Sequence, residues 1–421
     1  MMRQLYTLAW CLALPLVLAR LWWRGRAEPG YRLHWGERLG VYGRHGAGAH
    51  TLWVHAVSVG ETRAAEPLVE ALLAAYPDSR IVLTCMTPTG RETGRALFAK
   101  HGARVVQAYL PYDMPVMLRR FVRHFVPRIC ILMETEVWPN LVATCGERIP
   151  VALVNARLSA RSLRRGRRFG ALMTDAAGAL ALVAAQTEAD AGRIRSLGAP
   201  RVEVTGNIKF DVVPPEAALA VGAQLRAQMG ERPVLLCAST RDGEEELILG
   251  ACSALFTLPG APLLLIVPRH PQRFDAVAAM AAARGLSVQR RSQLSAAPVT
   301  AQVLVGDSMG EMFAYYAACD VAFIGGSLLA LGGQNLIEAC ALGKPVLIGP
   351  HTFNFALATE EAIAAGGALC VPDAQQLVRE ARALLVDEPL RAAMGERART
   401  FAHRHRGATA RTVGLLRHMI Y

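Results

Sequence analysis

Apolar runs without polar alternation recur along the chain. Thr51–Ser58 (TLWVHAVS), Arg80–Thr87 (RIVLTCMT), Arg104–Leu110 (RVVQAYL), Arg128–Met133 (RICILM), Val151–Asn155 (VALVN), Leu182–Gln186 (LVAAQ) and Val202–Thr205 (VEVT) each read as a strand. Helical stretches separate them; Ala65, Leu68, Val69 and Leu72, for example, fall on one helical face. Strands apolar on both faces and alternating with helices predict a parallel sheet covered on both sides. Asp211–Pro215 (DVVPP) breaks the rhythm, because two prolines continue neither a helix nor a central strand. The pattern then restarts with Pro233–Ala238, Pro262–Val267, Gln302–Val305, Val321–Ile324, Pro345–Ile348 and Leu369–Val371. The chain closes in basic helical sequence from about Glu388. The expected fold is α/β: two doubly wound units facing a cleft, with ligands at the carboxyl ends of their strands.

The first residues follow a different rule. Leu5 to Leu18 is apolar, and Arg20, Trp22, Trp23, Arg24 and Arg26 follow. The apolar core is shorter than the roughly 20 residues of a full span. Tryptophan beside arginine suits a membrane-water boundary, and no small-residue cleavage site follows. The reading is an uncleaved anchor, spanning or half-inserted, with everything after it in the cytoplasm; a buried core helix is the alternative. The expected boundaries are 1–27 for the anchor, 28–210 for the first domain, 211–215 for the linker and 216–421 for the second domain. The last helix is a candidate to pack back on the first domain.

Composition narrows the partners. A chain of 421 residues that is 52% hydrophobic can build two cores. A formal charge of +12 favours anionic partners: phosphates, nucleotides, lipid surfaces or nucleic acid. Nine cysteines without a close C-x-x-C pair indicate reduced thiols rather than zinc knuckles or disulfides. The basic run with Arg157, Arg161, Arg164, Arg165, Arg167 and Arg168 reads as a solvated helix face, with an anionic lipid headgroup as the second reading. It carries no interleaved aromatics, which argues against nucleic acid.

Strand ends carry the candidate chemistry. Gly60 of Ser58-Val59-Gly60-Glu61 is expected to turn the chain sharply, with the helix proper starting near Pro67. Glu61 is then either a base at the mouth of the cleft or an acid steadied by a helix dipole. Arg128–Met133 runs into Glu134 and Glu136; Glu134 is expected in the cleft and Glu136 in the turn, and an ion-pair role stands beside a chemical one. Lys209 in GNIKFD is either solvated or aimed at developing negative charge. In the second half, Pro268-Arg269 follows a strand, and arginine there suits phosphate. Gly306–Glu311, with Met309, Gly310 and Glu311, leads into a helix. Gly325, Gly326, Ser327, Gly332 and Gly333 form a glycine-rich loop expected to offer main-chain N–H groups to a ligand. Asn335-Leu336-Ile337-Glu338 is expected to open a helix that holds phosphate, with Glu338 near ribose. Neither a G-x-G-x-x-G fingerprint nor a Walker motif is present.

The stretches SVGET, MTPTG, YLPYD, METEVWPNL, NARLSARS, VTGNIKFD, PRHPQRF, VGDSMGEM and GGSLLALGGQNLIEA with GPHTFNF, in this order, resemble the 3-deoxy-D-manno-oct-2-ulosonic acid (Kdo) transferases of Gram-negative lipopolysaccharide assembly. The resemblance implies a GT-B architecture: two Rossmann-like domains, the first for the lipid acceptor and the second for CMP-Kdo. It implies a metal-independent, inverting transfer of Kdo to the lipid A precursor. The expected setting is the cytoplasmic face of the inner membrane, with no cofactor, no nucleic acid and no required protein partner. Glu61 then resembles the proton acceptor, and Glu134 and Lys209 the transition-state stabilisers. Pro268, Arg269, Met309, Gly310, Glu311, Asn335, Leu336, Ile337 and Glu338 resemble the CMP contacts. One departure is visible: the family pattern more often reads G-G-H-N, and Gln334 stands where that histidine would be. A UDP-sugar transferase or epimerase of the same architecture, or a membrane-tethered nucleotide-binding protein without activity, are the competing readings.

Overall fold

The structure, a computed structural model, describes residues 1–43, 50–146, 148–294 and 297–420. The chain forms two compact units, Met1–Asp211 together with the residues from Arg406 on, and Val212–His405.

The first unit is built on a parallel sheet of seven strands: β1 (His50–His55), β2 (Ser79–Cys85), β3 (Val105–Tyr109), β4 (Pro127–Met133), β5 (Val151–Ala156), β6 (Leu182–Ala185) and β7 (Val202–Val204). Their order is β3-β2-β1-β4-β5-β6-β7. All seven expected strands are present, with β1 ending earlier, at His55. The continuous apolar runs are explained by burial on both faces: Leu52 and Val54 of β1 join one core, Trp53 the other. Trp53 donates its indole N–H to Thr84 at 2.8 Å and packs on Phe121, so its one polar atom is satisfied. The helix Ala408–Ile420 returns to this unit. Ala408, Leu416 and Ile420 enter the core with Leu52, and Asp211 accepts the N–H groups of Gly407 and Thr409.

The second unit carries β8 (Val234–Thr240), β9 (Leu263–Pro268), β10 (Val288–Arg290), β11 (Val303–Val305), β12 (Val321–Ile324), β13 (Val346–Ile348) and β14 (Ala368–Cys370). These strands are parallel, in the order β10-β11-β9-β8-β12-β13-β14. Six strands were expected. The missed one, β10, has three partly exposed residues at the sheet edge, Gln289 and Arg290 among them, so no apolar run announces it.

The N-terminal helix, Met2–Arg24, lies along the first unit rather than standing away from it. Thr7 and Asn140 exchange hydrogen bonds, Trp10 packs on Tyr112 with ring centroids 5.7 Å apart, and Leu21 is buried. Tyr6, Thr7, Trp10, Leu14, Val17 and Leu21 recur at helical spacing on the side with lower exposure. The opposite side leaves Leu12 72% and Leu16 74% exposed, with Leu5, Leu8, Trp22 and Trp23 also open. Arg26 and Arg32 stack over Trp22 at the C-terminal end.

Candidate active site

In the first sheet β1 lies beside β4, with β2 and β3 on one side and β5 to β7 on the other. Such a reversal of strand order opens a crevice at the carboxyl ends of the two central strands. Glu61 follows β1 and Glu134 follows β4.

The helix after β1 begins sooner than expected. Val59–Ala64 is already helical, and Pro67 belongs to a second helix, Glu66–Ala75, where it occupies the first turn. Gly60 is therefore a helical residue, absent from the positive-φ positions among the described residues, and turns nothing. Glu61 sits in the first helical turn, and its Oε2 accepts the Val57 N–H at 2.9 Å. Burial pushes its carboxyl up to about 7, and the negative charges of Glu136 and Glu134 push the same way; the Val57 N–H and Lys209 oppose them.

Glu134 is 3% exposed and occupies the left-handed region, φ 55°, rare for a residue with a side chain. Its Oε1 accepts from Lys209 Nζ at 2.7 Å and its Oε2 from Arg157 Nε at 2.7 Å. Burial alone would raise this carboxyl, but Lys209 and Arg157 outweigh it and hold it below the usual carboxylate range. Lys209 is neither simply solvated nor unpartnered: it forms a buried ion pair, and Arg157 leaves the basic run to share it. The rest of that run, on the helix Ala160–Arg168, has no buried residue and is a solvated face. Glu136 accepts the Trp138 indole N–H at 2.8 Å, and burial raises its carboxyl. The position of Lys209 depends on the first residue of the stretch NARLSARS, to which no role was assigned. Asn155, buried at φ 50°, accepts the Ile208 N–H through Oδ1 at 3.1 Å.

In the second sheet the reversal falls between β8 and β12. The glycine-rich loop follows β12. Gly325 admits no side chain, since a Cβ there would lie 2.6 Å from the Ser239 carbonyl oxygen. Gly326, Gly332 and Gly333 adopt φ of 71°, 95° and 72°, values that cost glycine little.

The loop does not present its first amides to a ligand, as the sequence suggested. The Gly325 N–H donates to Ala238 O at 2.8 Å and the Gly333 N–H to Gly326 O at 2.7 Å. The N–H groups of Gly326, Ser327 and Leu328 all donate to one carboxylate, Glu244, at 2.5, 2.9 and 2.9 Å; the Arg241 N–H adds a fourth bond at 2.9 Å. Glu244 is fully buried and opens the helix Glu244–Ala251 after β8. Four N–H donors and a helix N-terminus replace the water that the buried anion has lost. The carboxylate thus ties the end of β8 to the loop after β12.

Around this junction stand the other candidates. Pro268 is the last, buried residue of β9, and the Arg269 N–H donates to Thr240 O at 2.9 Å. Burial and the charges of Arg241 and Arg269 hold the His270 imidazole below its usual range, which marks a positive field at the ends of β8 and β9. Glu311 accepts from Ser308 Oγ at 2.6 Å and pairs with Arg291; Met309 is exposed and Gly310 has φ 85°. Asn335 does not begin the helix. It precedes the short helix Ile337–Ala341, accepts the Ile337 N–H through Oδ1 at 3.0 Å and donates to Glu338 at 3.0 Å. The side chains of Leu336 and Ile337 lie wholly in the core, so only their main chain can meet a ligand. Gln334 donates its N–H to Gly325 O at 3.0 Å and packs its side chain by Gly326.

Comparison with known proteins gives this arrangement a class. The profile of the glycosyl transferases group 1 matches residues 288–401. That match, on two parallel-sheet α/β units of GT-B type, defines a glycosyltransferase. The profile described as 3-Deoxy-D-manno-octulosonic-acid transferase (kdotransferase) matches residues 33–212. The chain is 48% identical to a 3-deoxy-D-manno-octulosonic acid transferase of Bordetella pertussis, covering 98% of each chain. It is 38% identical to the enzyme of that description from Haemophilus influenzae, over 99% of this chain and 98% of the other. The chain belongs to the 3-deoxy-D-manno-octulosonic acid transferase family. The fold is shared more widely: a UDP-GlcNAc 2-epimerase from Neisseria meningitidis aligns with TM-score 0.60 at 16% identity, over 87% of this chain and 99% of the epimerase.

Proposed function

We propose that the protein transfers Kdo from CMP-Kdo to the lipid A precursor, with inversion at the anomeric carbon. Glu61 takes the proton from an acceptor hydroxyl as that oxygen attacks the anomeric carbon, and CMP leaves from the opposite face. Arg269 and the positive field around Arg241 take up the charge of the departing phosphate, and Lys209, steadied by Glu134, helps with that same charge. No cofactor enters this scheme. The exposed leucines and tryptophans of the N-terminal helix, with arginines at its C-terminal end, support attachment to the cytoplasmic face of the inner membrane. The observation that carries the reading is the half-buried Glu61 carboxyl, raised to about 7 beside two further carboxylates. A base raised into the neutral range is matched to proton abstraction at cytoplasmic pH.

The direct test is mass spectrometry of the lipid product after incubation with CMP-Kdo and a tetraacylated lipid A precursor. The expected result is addition of Kdo, inhibited by CMP and not by UDP. An unmodified lipid, or transfer from a UDP-sugar instead, overturns the reading. The pH dependence gives a second test. Only ionised Glu61 can accept the proton, so kcat should climb roughly tenfold per pH unit at acid pH and level off above the raised value. A flat profile through the neutral range removes Glu61 from this role.

A further inference from the structure

The first unit contains a pocket of about 450 Å³ lined by Arg3, Gln4, Thr7, Pro115, Arg119, Asn140, Ala143 and Thr144. Its cationic groups come from two separated segments, Arg3 from the N-terminal helix and Arg119 from the helix Pro115–Phe125. Neither arginine has an acidic partner among the described residues, whereas Glu37 and Glu134 of this unit are each paired with a cation. The neighbouring acid, Asp113, is buried, and its two oxygens accept the N–H groups of Asn140 and Leu141 at 3.1 and 2.8 Å. Pro115, the first residue of the eleven-residue helix that carries Arg119, lines the same space. Thr7 and Asn140, both lining the pocket, exchange hydrogen bonds that join the N-terminal helix to the helix Pro139–Cys145. One turn beyond Gln4, Leu8 is exposed, and Leu5 and Leu12 continue the open apolar side. Anion-binding groups at one end of an exposed apolar helix face match an amphiphile with a charged phosphate and acyl chains.

We propose that this pocket binds the phosphate of a lipid, mono- or diester, whose acyl chains lie along the leucine face of the N-terminal helix. The proposal rests on the membrane attachment inferred above. It makes Arg3 and Arg119 ligand-binding residues, where the exposed basic helix Ala160–Arg168 supplies only diffuse charge. The phosphate belongs either to a membrane phospholipid or to the lipid acceptor, and the two sources separate by experiment.

The full chain is tested for flotation with phosphatidylcholine vesicles, with and without phosphatidylglycerol, and for acceptor KM in a nonionic detergent free of phospholipid. Arg3→Gln/Arg119→Gln is compared with Arg164→Gln/Arg165→Gln. Loss of two charge-assisted contacts should weaken the measured binding at least about tenfold. A fall in affinity for the phosphatidylglycerol vesicles alone assigns the site to membrane phospholipid; a rise in acceptor KM alone assigns it to the acceptor; both outcomes support the pocket. Unchanged affinity and unchanged KM overturn it, as does an equal loss in the Arg164/Arg165 variant, which would reduce the effect to net charge. Absence of any vesicle binding by the unaltered protein would refute the membrane attachment, and the KM comparison would then decide the pocket by itself.

Discussion

Glu61→Gln is expected to lower kcat by about 10² to 10⁴, the usual worth of a general base, while the KM values for both substrates change little. The amide keeps the size of the side chain, and its carbonyl oxygen can still accept the Val57 N–H that Glu61 accepts at 2.9 Å. It cannot take a proton. The fold should be unharmed, because burial already disfavours the charged form of this group. Single-turnover transfer, read by mass of the lipid product, measures the loss; a rate within a factor of a few of the parent would sink the role. The neighbours sharpen the test. Glu136 is the largest charge raising Glu61 and Lys209 opposes it. Glu136→Gln should therefore move the midpoint of the rate profile to lower pH, and Lys209→Ala to higher pH. Opposite or absent displacements would show that the profile reports some other group.

How much of this was legible in the chain depends on what each feature is made of. The parallel sheets were legible because strands buried on both faces leave long apolar runs, as Arg128–Met133 does. β10 was not, since a three-residue edge strand with Gln289 and Arg290 carries no such run. Glu61, Glu134 and Lys209 stand after strands, so their candidacy could be read from position. That Glu134 and Lys209 touch could not, because 75 residues separate them and their meeting depends on Asn155 fixing Ile208. The glycine-rich loop misled for a physical reason. Glycine announces close backbone approach, but not what approaches. The approaching group is a carboxylate of the protein itself, hidden in the run Glu244-Glu245-Glu246, where three acids at a helix start look alike in sequence. Only burial separates Glu244 from the exposed Glu246.

That hidden carboxylate should govern the second unit, where the proposed function places the donor. Glu244→Gln keeps the volume but replaces one oxygen by an NH₂ group. Each oxygen of Glu244 receives two main-chain N–H groups, so whichever way the amide turns, two donors face another donor. An orphaned buried donor costs about 1 to 3 kcal/mol, so the substitution should cost about 2 to 6 kcal/mol in all. Against a typical domain stability of about 5 to 15 kcal/mol that is a large share, and Glu244→Ala, which strands all four, should scarcely fold. The loop should loosen before the unit unfolds. Hydrogen exchange at Gly326, Ser327 and Leu328 should therefore accelerate at least about tenfold in Glu244→Gln, with smaller changes in the first unit. A loop held less firmly must be ordered on binding, so KM for the CMP-sugar should rise, and saturating donor should recover much of kcat. A variant with unchanged exchange at these three amides would mean that solvent or a rearranged loop satisfies them, and Glu244 would then be only one more buried acid. Faster exchange with an unchanged donor KM would instead separate the clamp from the donor site and move donor recognition to the Arg269 and Asn335 side of the unit.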